Sequence, residues 1–469
     1  MQAGYGSRKA YVHEVRRDLE MSEKRNIQYI VNNALCTACG ACSGICPAKA
    51  VDMVENTAGF IIARVDNEKC TACGICLEVC PSNKENDISL ACKDIFHGVC
   101  LEGYVGFAKD KKIRQKSQSG GIVTALLCYL LDHHFVDSAV INNFDKETRR
   151  PQAVLAESKR DIVSGCGSYY TQTSVVKKIL ENSNSQQLAA VVLGCQAQSL
   201  NLIKAKYPKV KLPLYTIGLF CAGQNSGFMI DDLIKLSGCD SDINRECVCN
   251  LRFRDKNNGG WPGNVSIFSD KNSYTLPKEK RFFLKSLYEL HRCISCFDQM
   301  NIFSDIVCGD PWHIANKQQP EGHTVVIART EKGKNLLEYA VRDGAIELEY
   351  LPVEDIIRGQ TVDGRHKTKF FTTKSIYIEN GWMFPYDEKL FAKDAYVSAD
   401  KKEKATIKER LEYSRKLYRE NEALKVRKMI AGKKRSIQKE ALVSYPLRLV
   451  KRGLRFLKNL PKKIKKKYQ

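Results

Sequence analysis

The strongest constraint on this chain is a run of four cysteines that occurs twice. CTACGACSGICP carries Cys36, Cys39, Cys42 and Cys46, followed by Pro47; CTACGICLEVCP carries Cys70, Cys73, Cys76 and Cys80, followed by Pro81. Each reads C-x2-C-x2-C-x3-C-P, the run that holds cubane iron–sulfur clusters in two-cluster ferredoxins, where the fourth thiolate serves the other cluster. The expected ligand sets are therefore Cys36, Cys39, Cys42 and Cys80 for one [4Fe-4S] centre, and Cys46, Cys70, Cys73 and Cys76 for the second. Zinc knuckles and a disulfide framework fit less well. Zinc ribbons use pairs of C-x2-C without a third cysteine at the same step and a closing x3-C-P. The prolines end short helices, and Gly40 and Gly74 are expected to keep side chains off the clusters so that backbone amides reach sulfur. The module is expected to be an α+β ferredoxin-like two-cluster domain over residues 31–95, moving single electrons at low potential.

A chain of 469 residues has room for about three domains. Its 20 cysteines would suit an exported disulfide scaffold only in a short chain with an apolar leader. Residues 1–30 are instead a polar extension, and Met21 is an alternative start. The longest apolar stretch, Ile122 to Leu131, is too short to span a bilayer. These features predict a protein of the reducing cytoplasm. The formal charge of +22 is concentrated at one end: residues 401–469 hold 25 Lys and Arg against 6 Asp and Glu. The rest of the chain is close to neutral, so its charge says little about partners.

Between 96 and 390 short apolar runs alternate with helical stretches. SAVIN (138–142), AAVVLG (189–194), LPLYTIGLF (212–220), NVSIF (264–268) and HTVVIART (323–330) read as buried strands, with helices near 172–181 and 331–343. That alternation predicts an α/β domain around a mostly buried sheet. KSQSGG opens a helix, and its Ser117, Ser119, Gly120 and Gly121 suit an anion at a helix N-terminus. GCGSYYTQT, with Gly167, Ser168 and Tyr169, repeats that style. FRDKNNGGWP adds Arg254 and Lys256 in a glycine-rich loop. By themselves these segments read equally as helix caps and a solvated hairpin. Cys195 and Cys221 each follow a strand, so both can project from one sheet edge, and Cys293 with Cys296 forms a CxxC that could close a third metal site with them. Cys166 sits at the GCGSYY loop. His291 and His313, which flank the CxxC and GDPW motifs, are candidates for proton transfer.

The body resembles the family of the coenzyme F420 hydrogenase/dehydrogenase β subunit, with the ferredoxin module fused in front. The resemblance covers about residues 31–390 and rests on SQSGGIVTALL, GSYYTQ, GCQAQ, FRDKNNGGW and CISCFDQMNIFSDIVCGDPW. The last is similar to the family's CxxC…ADI…GDxW block, with Asp305, Asp310 and Trp312 in place. The resemblance implies a third [4Fe-4S] cluster on Cys195, Cys221, Cys293 and Cys296. It also implies an α/β flavin-binding domain with FAD on the SQSGG and GSYY loops. Where the family has GTPCQ and CHG, this chain has LGCQ and Cys221-Ala222-Gly223, which leaves the acceptor open between F420 and another two-electron substrate.

The remaining residues, 391–469, are expected to form a basic helical tail. In segment 446–466, Leu449, Val450, Leu454, Phe456, Leu457, Leu460 and Ile464 share one face of a helix, and Arg448, Lys451, Arg452, Arg455, Lys458 and Lys462 the other. Such a helix suits an anionic membrane surface, placing the protein at the inner face of the membrane. The wide apolar face argues against nucleic acid. Together the motifs predict an iron–sulfur flavoprotein oxidoreductase fed by ferredoxin or a partner redox subunit. The alternative is a non-catalytic electron-transfer subunit that links a partner oxidoreductase to the membrane.

Overall fold

The computed structural model describes residues 26–86, 94–184, 186–239, 247–314, 317–387, 391 and 399–419. The two cysteine runs fold as two similar turns flanking a hairpin, β1 (Val51–Glu55) and β2 (Ile61–Val65), which pair antiparallel from Val51–Val65 to Glu55–Ile61. Each turn repeats the same backbone. Ala38 and Ala72 have φ of 61° and 53°, and Gly40 and Gly74 have φ of 85° and 81° as they open the helices Ala41–Ile45 and Ile75–Glu78. A left-handed step at a non-glycine residue is strained and needs surrounding support.

The body is built on an eight-stranded mixed sheet. Its strands are β3 (Glu102–Ala108), β4 (Ser138–Asp145), β5 (Arg150–Ala156), β6 (Leu188–Val192), β7 (Tyr215–Leu219), β11 (Ile306–Gly309), β12 (Thr324–Ala328) and β13 (Ile346–Tyr350). The order across the sheet is β13-β3-β12-β11-β7-β6-β4-β5. The inner four, β11, β7, β6 and β4, run parallel; the flanking pairs are antiparallel. Every residue of β12 is buried, as in a sheet covered on both faces. Ligand sites in such sheets form beyond the carboxyl ends of the parallel strands. Here those ends deliver Cys195, in the helix Gly194–Lys206 after β6, Cys221 after β7 and Asp310 after β11.

NVSIF does not join this sheet. It forms the middle strand of a separate three-stranded antiparallel sheet, with β9 (Asn264–Ser269) between β8 (Val248–Asp255) and β10 (Ser273–Leu276). The short links between these three strands let them pair with one another instead of crossing to the large sheet.

Residue 95 is not a core boundary. One apolar cluster contains Ile30, Leu35 and Phe60 of the cysteine module together with Leu290, Phe297 and Phe370 of the body. Hydrogen bonds cross the seam: the Val176 N–H donates to the Cys39 carbonyl at 2.9 Å, and the Gln172 side-chain amide accepts from the Ile61 N–H at 3.0 Å and donates to its carbonyl at 3.2 Å. Arg150 bridges Glu55 of the module and Asp231 of the body.

The start of the tail is also part of this core. Helix Lys401–Tyr418 buries Ile407, Leu411, Leu417 and Tyr418; the Tyr418 carbonyl accepts from Asn56 at 3.1 Å, and its ring lies 5.6 Å from Phe60. The first part of the region expected as a basic helical tail is thus a helix docked on the core through an apolar stripe. Segment 446–466 and residues 1–25 lie outside the described residues. Among those described, no helix is long and apolar enough to cross a membrane.

Candidate electron-transfer site

Cys36, Cys39, Cys42 and Cys80 line one small cavity, and Cys46, Cys70, Cys73 and Cys76 line another. The fourth cysteine of each run thus faces the partner run's turn. Ala38 donates its N–H to Cys36 sulfur at 3.4 Å, and Ala50 to Cys46 sulfur at 3.3 Å. Gly40 has a packing duty as well: a Cβ there would meet Lys177 Cβ at 2.8 Å and Ser174 Cβ at 2.9 Å, whereas one on Gly74 would meet nothing.

Cys195, Cys221, Cys293 and Cys296 form a third group. Each of the Cys195 and Cys293 thiols is acted on by charge on others of the four, and Gln224 donates its N–H to Cys293 sulfur at 3.4 Å. The described cysteines are all free thiols. Burial pushes the Cys36, Cys76 and Cys221 thiols up to about 11, and Cys42 and Cys195 well above their ordinary value. Such thiols ionise only against a bound cation, so metal binding would release protons.

The first group adjoins both others. Cys42 of the first group feels charge on Cys76 of the second, and Cys39 is foremost among the charges acting on Cys195. Cys221 then lines the main cavity, of about 430 Å³, beyond the carboxyl ends of the parallel strands. That volume lies within the range of small-molecule sites. Ser117, Ser119, Gly121, Gly167, Ser168, Tyr169 and Arg254 line this cavity, as does His313.

Other expected contacts are spent elsewhere. Gly120 does not line the cavity: its N–H donates to Thr324 Oγ1 at 2.9 Å, and a Cβ there would strike the Gly106 carbonyl at 2.5 Å. The Ser119 hydroxyl donates to the His323 carbonyl. Lys256 is not an anion ligand, because its ammonium donates to the carbonyls of Arg114, Ser119 and Glu321 and staples three loops. His291 is no proton carrier in the cavity; it is fully buried between Ser414 Oγ at 2.9 Å and Tyr377 Oη at 2.8 Å, and burial lowers it to about 3. Cys166 is buried behind the loop, with Thr124 Oγ1 at 3.4 Å from its sulfur.

Arg254 and Asp310 organise neighbours that the sequence reading did not single out as site residues. Arg254 is buried, forks onto the Asp310 carboxylate and donates to the Pro262 carbonyl at 3.0 Å; Trp261 Nε1 donates to the same carboxylate at 3.0 Å. Burial alone would raise Asp310, but Arg254 outweighs it and holds the carboxyl below its usual range. Burial likewise opposes ionisation of Tyr170, yet Arg254 and Arg281 hold its phenol below the ordinary value. Arg281 is 5% exposed and lines the cavity. Its guanidinium lies over the rings of Phe282 and Tyr170 at 4.3 and 5.1 Å, and its buried Nε has no partner. With Lys285 also on the wall, the cavity carries more cations than carboxylates and suits an anionic ligand.

Known proteins share both parts of the chain. Residues 103–181 match the family model for the N-terminal part of the coenzyme F420 hydrogenase/dehydrogenase β subunit, and 185–354 match the model for its C terminus. Residues 35–84 match the 4Fe-4S dicluster domain. The chain is 25% identical over 292 residues to the coenzyme F420 hydrogenase subunit beta of Methanothermobacter thermautotrophicus, covering 59% of this chain and 95% of that one. It is 25% identical over 343 residues to a component of the F(420)H(2) dehydrogenase of Methanosarcina mazei, covering 68% and 85%. A chain of the F420-reducing [NiFe] hydrogenase complex from Methanosarcina barkeri aligns with a TM-score of 0.47 and 21% identity, over 61% of this chain and 96% of that one.

Proposed function

The chain belongs to the family of the coenzyme F420 hydrogenase/dehydrogenase β subunit, preceded by a 4Fe-4S dicluster domain, and from that premise we propose an iron–sulfur flavoprotein oxidoreductase. One observation carries the reading: twelve thiols fall into three groups of four, the first adjoining both others, and the third reaches the wall of the large cavity through Cys221. The exposed end is the group Cys46, Cys70, Cys73 and Cys76, where Cys73 is open to solvent. A one-electron donor, either a ferredoxin or a partner redox subunit, docks there. FAD in the cavity would supply the exchange between single electrons and a hydride.

The residues have separable duties. The thiols hold the clusters, and the neighbouring N–H groups set their potentials. Arg281 and Lys285 attract the anionic cofactor or acceptor. Arg254, held by Asp310, fixes the Tyr170 phenol at the wall, and Tyr170, acidified by two arginines, is placed to pass a proton. The acceptor is F420, as the relatives' names suggest, or another two-electron substrate. The alternative of a subunit without turnover is separated by assaying the isolated chain with a viologen donor and F420. The central test is stoichiometry. Anaerobic reconstitution should give about twelve irons, three cubanes of four, and one FAD per chain; a loaded protein with four irons, or one that never retains flavin, would refute the scheme.

A further inference from the structure

Arg292 directly precedes Cys293 of the third thiol group and bonds the two residues that directly follow Cys80 of the first. It is 1% exposed and ranks among the largest fully buried side chains. Its Nε donates to Ser82 Oγ at 2.7 Å, and its Nη2 donates to Tyr386 Oη at 2.6 Å and to the Pro81 carbonyl at 3.3 Å. The Tyr386 ring lies 4.6 Å beneath the guanidinium, and buried Nη1 has no partner. Every one of these acceptors is neutral. By contrast, Arg150, Arg254 and Arg410 each pair with a carboxylate. Among the described residues none forms an ion pair with Arg292. A buried charge without a counter-ion is strongly unfavourable.

The nearest groups able to carry negative charge are cysteine sulfurs. Pro81 and Ser82 directly follow Cys80, and Arg292 directly precedes Cys293. The Arg292 charge acts on Cys80 on one side and on Cys195 and Cys296 on the other. Four thiolates around a cubane leave a net negative centre, and each electron added makes it more so; net charge is among the main determinants of such potentials.

We propose that Arg292 is the shared counter-ion of the Cys36/Cys39/Cys42/Cys80 and Cys195/Cys221/Cys293/Cys296 centres, a positioning residue that makes both easier to reduce. One electron leaves the donor and one arrives at the centre. No bond breaks, and no proton need follow, because a fixed cation already faces the added charge. The inference rests on the cluster reading above and deepens it.

The test is an EPR-monitored redox titration of the fully loaded chain. R292Q keeps polar contacts and removes the charge. Both buried centres should become harder to reduce, each by at least tenfold in the reduction equilibrium, 59 mV for a one-electron couple. The Cys46/Cys70/Cys73/Cys76 centre should move far less, and R292K should stay near the parent chain. Unmoved potentials in a loaded R292Q chain overturn the proposal. The parent chain gives a second, independent measurement, which decides the matter if R292Q fails to load. Burial alone would make the Cys36/Cys39/Cys42/Cys80 centre harder to reduce than the exposed one; the guanidinium reverses that order. C73S, which removes a ligand of the exposed centre, assigns the two signals. An enclosed centre of lower potential overturns the proposal. Absence of iron from the parent chain after reconstitution would count against the cluster reading, not against the role of Arg292.

Discussion

Arg281 is a buried cation on the cavity wall, paired with no carboxylate among the described residues. Burial pushes its guanidinium toward the neutral form, its Nε is unpartnered, and it faces aromatic rings in a cavity that has few carboxylates. Replacing it with Met removes an uncompensated buried charge but keeps the bulk. The chain without cofactor should be unchanged or stabilised by up to about 1 kcal/mol, whereas flavin affinity should fall at least tenfold, about 1.4 kcal/mol. Urea unfolding and fluorescence titration with FAD measure the two effects. A destabilised chain with unaltered flavin affinity would remove Arg281 from the site. The sequence offered no hint of this residue, since KRFFLKSLY is an ordinary charged helix until the fold turns that position inward. Lys256 is the opposite case. A lysine in a glycine-rich loop reads as an anion ligand, but the loop folds back and three carbonyls consume its donors.

At the level of elements, the two cysteine turns are the same motif under different loads. Both glycines occupy left-handed positions, so each Gly→Ala change costs backbone strain of roughly 1–2 kcal/mol. Only at Gly40 would the new methyl also strike the helix Val175–Asn182, through Ser174 and Lys177. G40A should therefore lower thermal stability and iron retention much more than G74A. Equal effects in anaerobic melting and iron assays would show that the packing at Gly40 is not critical. The motif repeat was legible residue by residue, and so were the strands at 138–142, 189–194 and 323–330, because apolar runs bounded by turns leave little choice. The position of NVSIF was not legible, since pairing partners depend on connections and not on the strand's own pattern.

At the scale of the whole molecule, the largest of three apolar clusters among the described residues joins the cysteine module, the body and the first helix of the tail. The remaining basic segment carries the expectation of membrane attachment. If it does so, the intact chain should co-sediment with anionic vesicles, and a chain ending at residue 440 should not; the effect should weaken with salt, as for lysines and arginines that each contribute about 1 kcal/mol near such a surface. Equal sedimentation of both chains would end that idea. What the sequence determined by itself was the chemistry of the eight thiols in the paired runs. Their spacing is local, and a tight turn with a proline stop brings such thiols together in almost any setting. The tertiary structure decided which centres neighbour one another, that the third group reaches a cavity, and that Arg254, Arg281 and Arg292 are buried. Those facts depend on parallel strands placing Cys195, Cys221 and Asp310 at one edge and on helices packing across the seam. Such long-range juxtapositions leave no periodic trace in the chain.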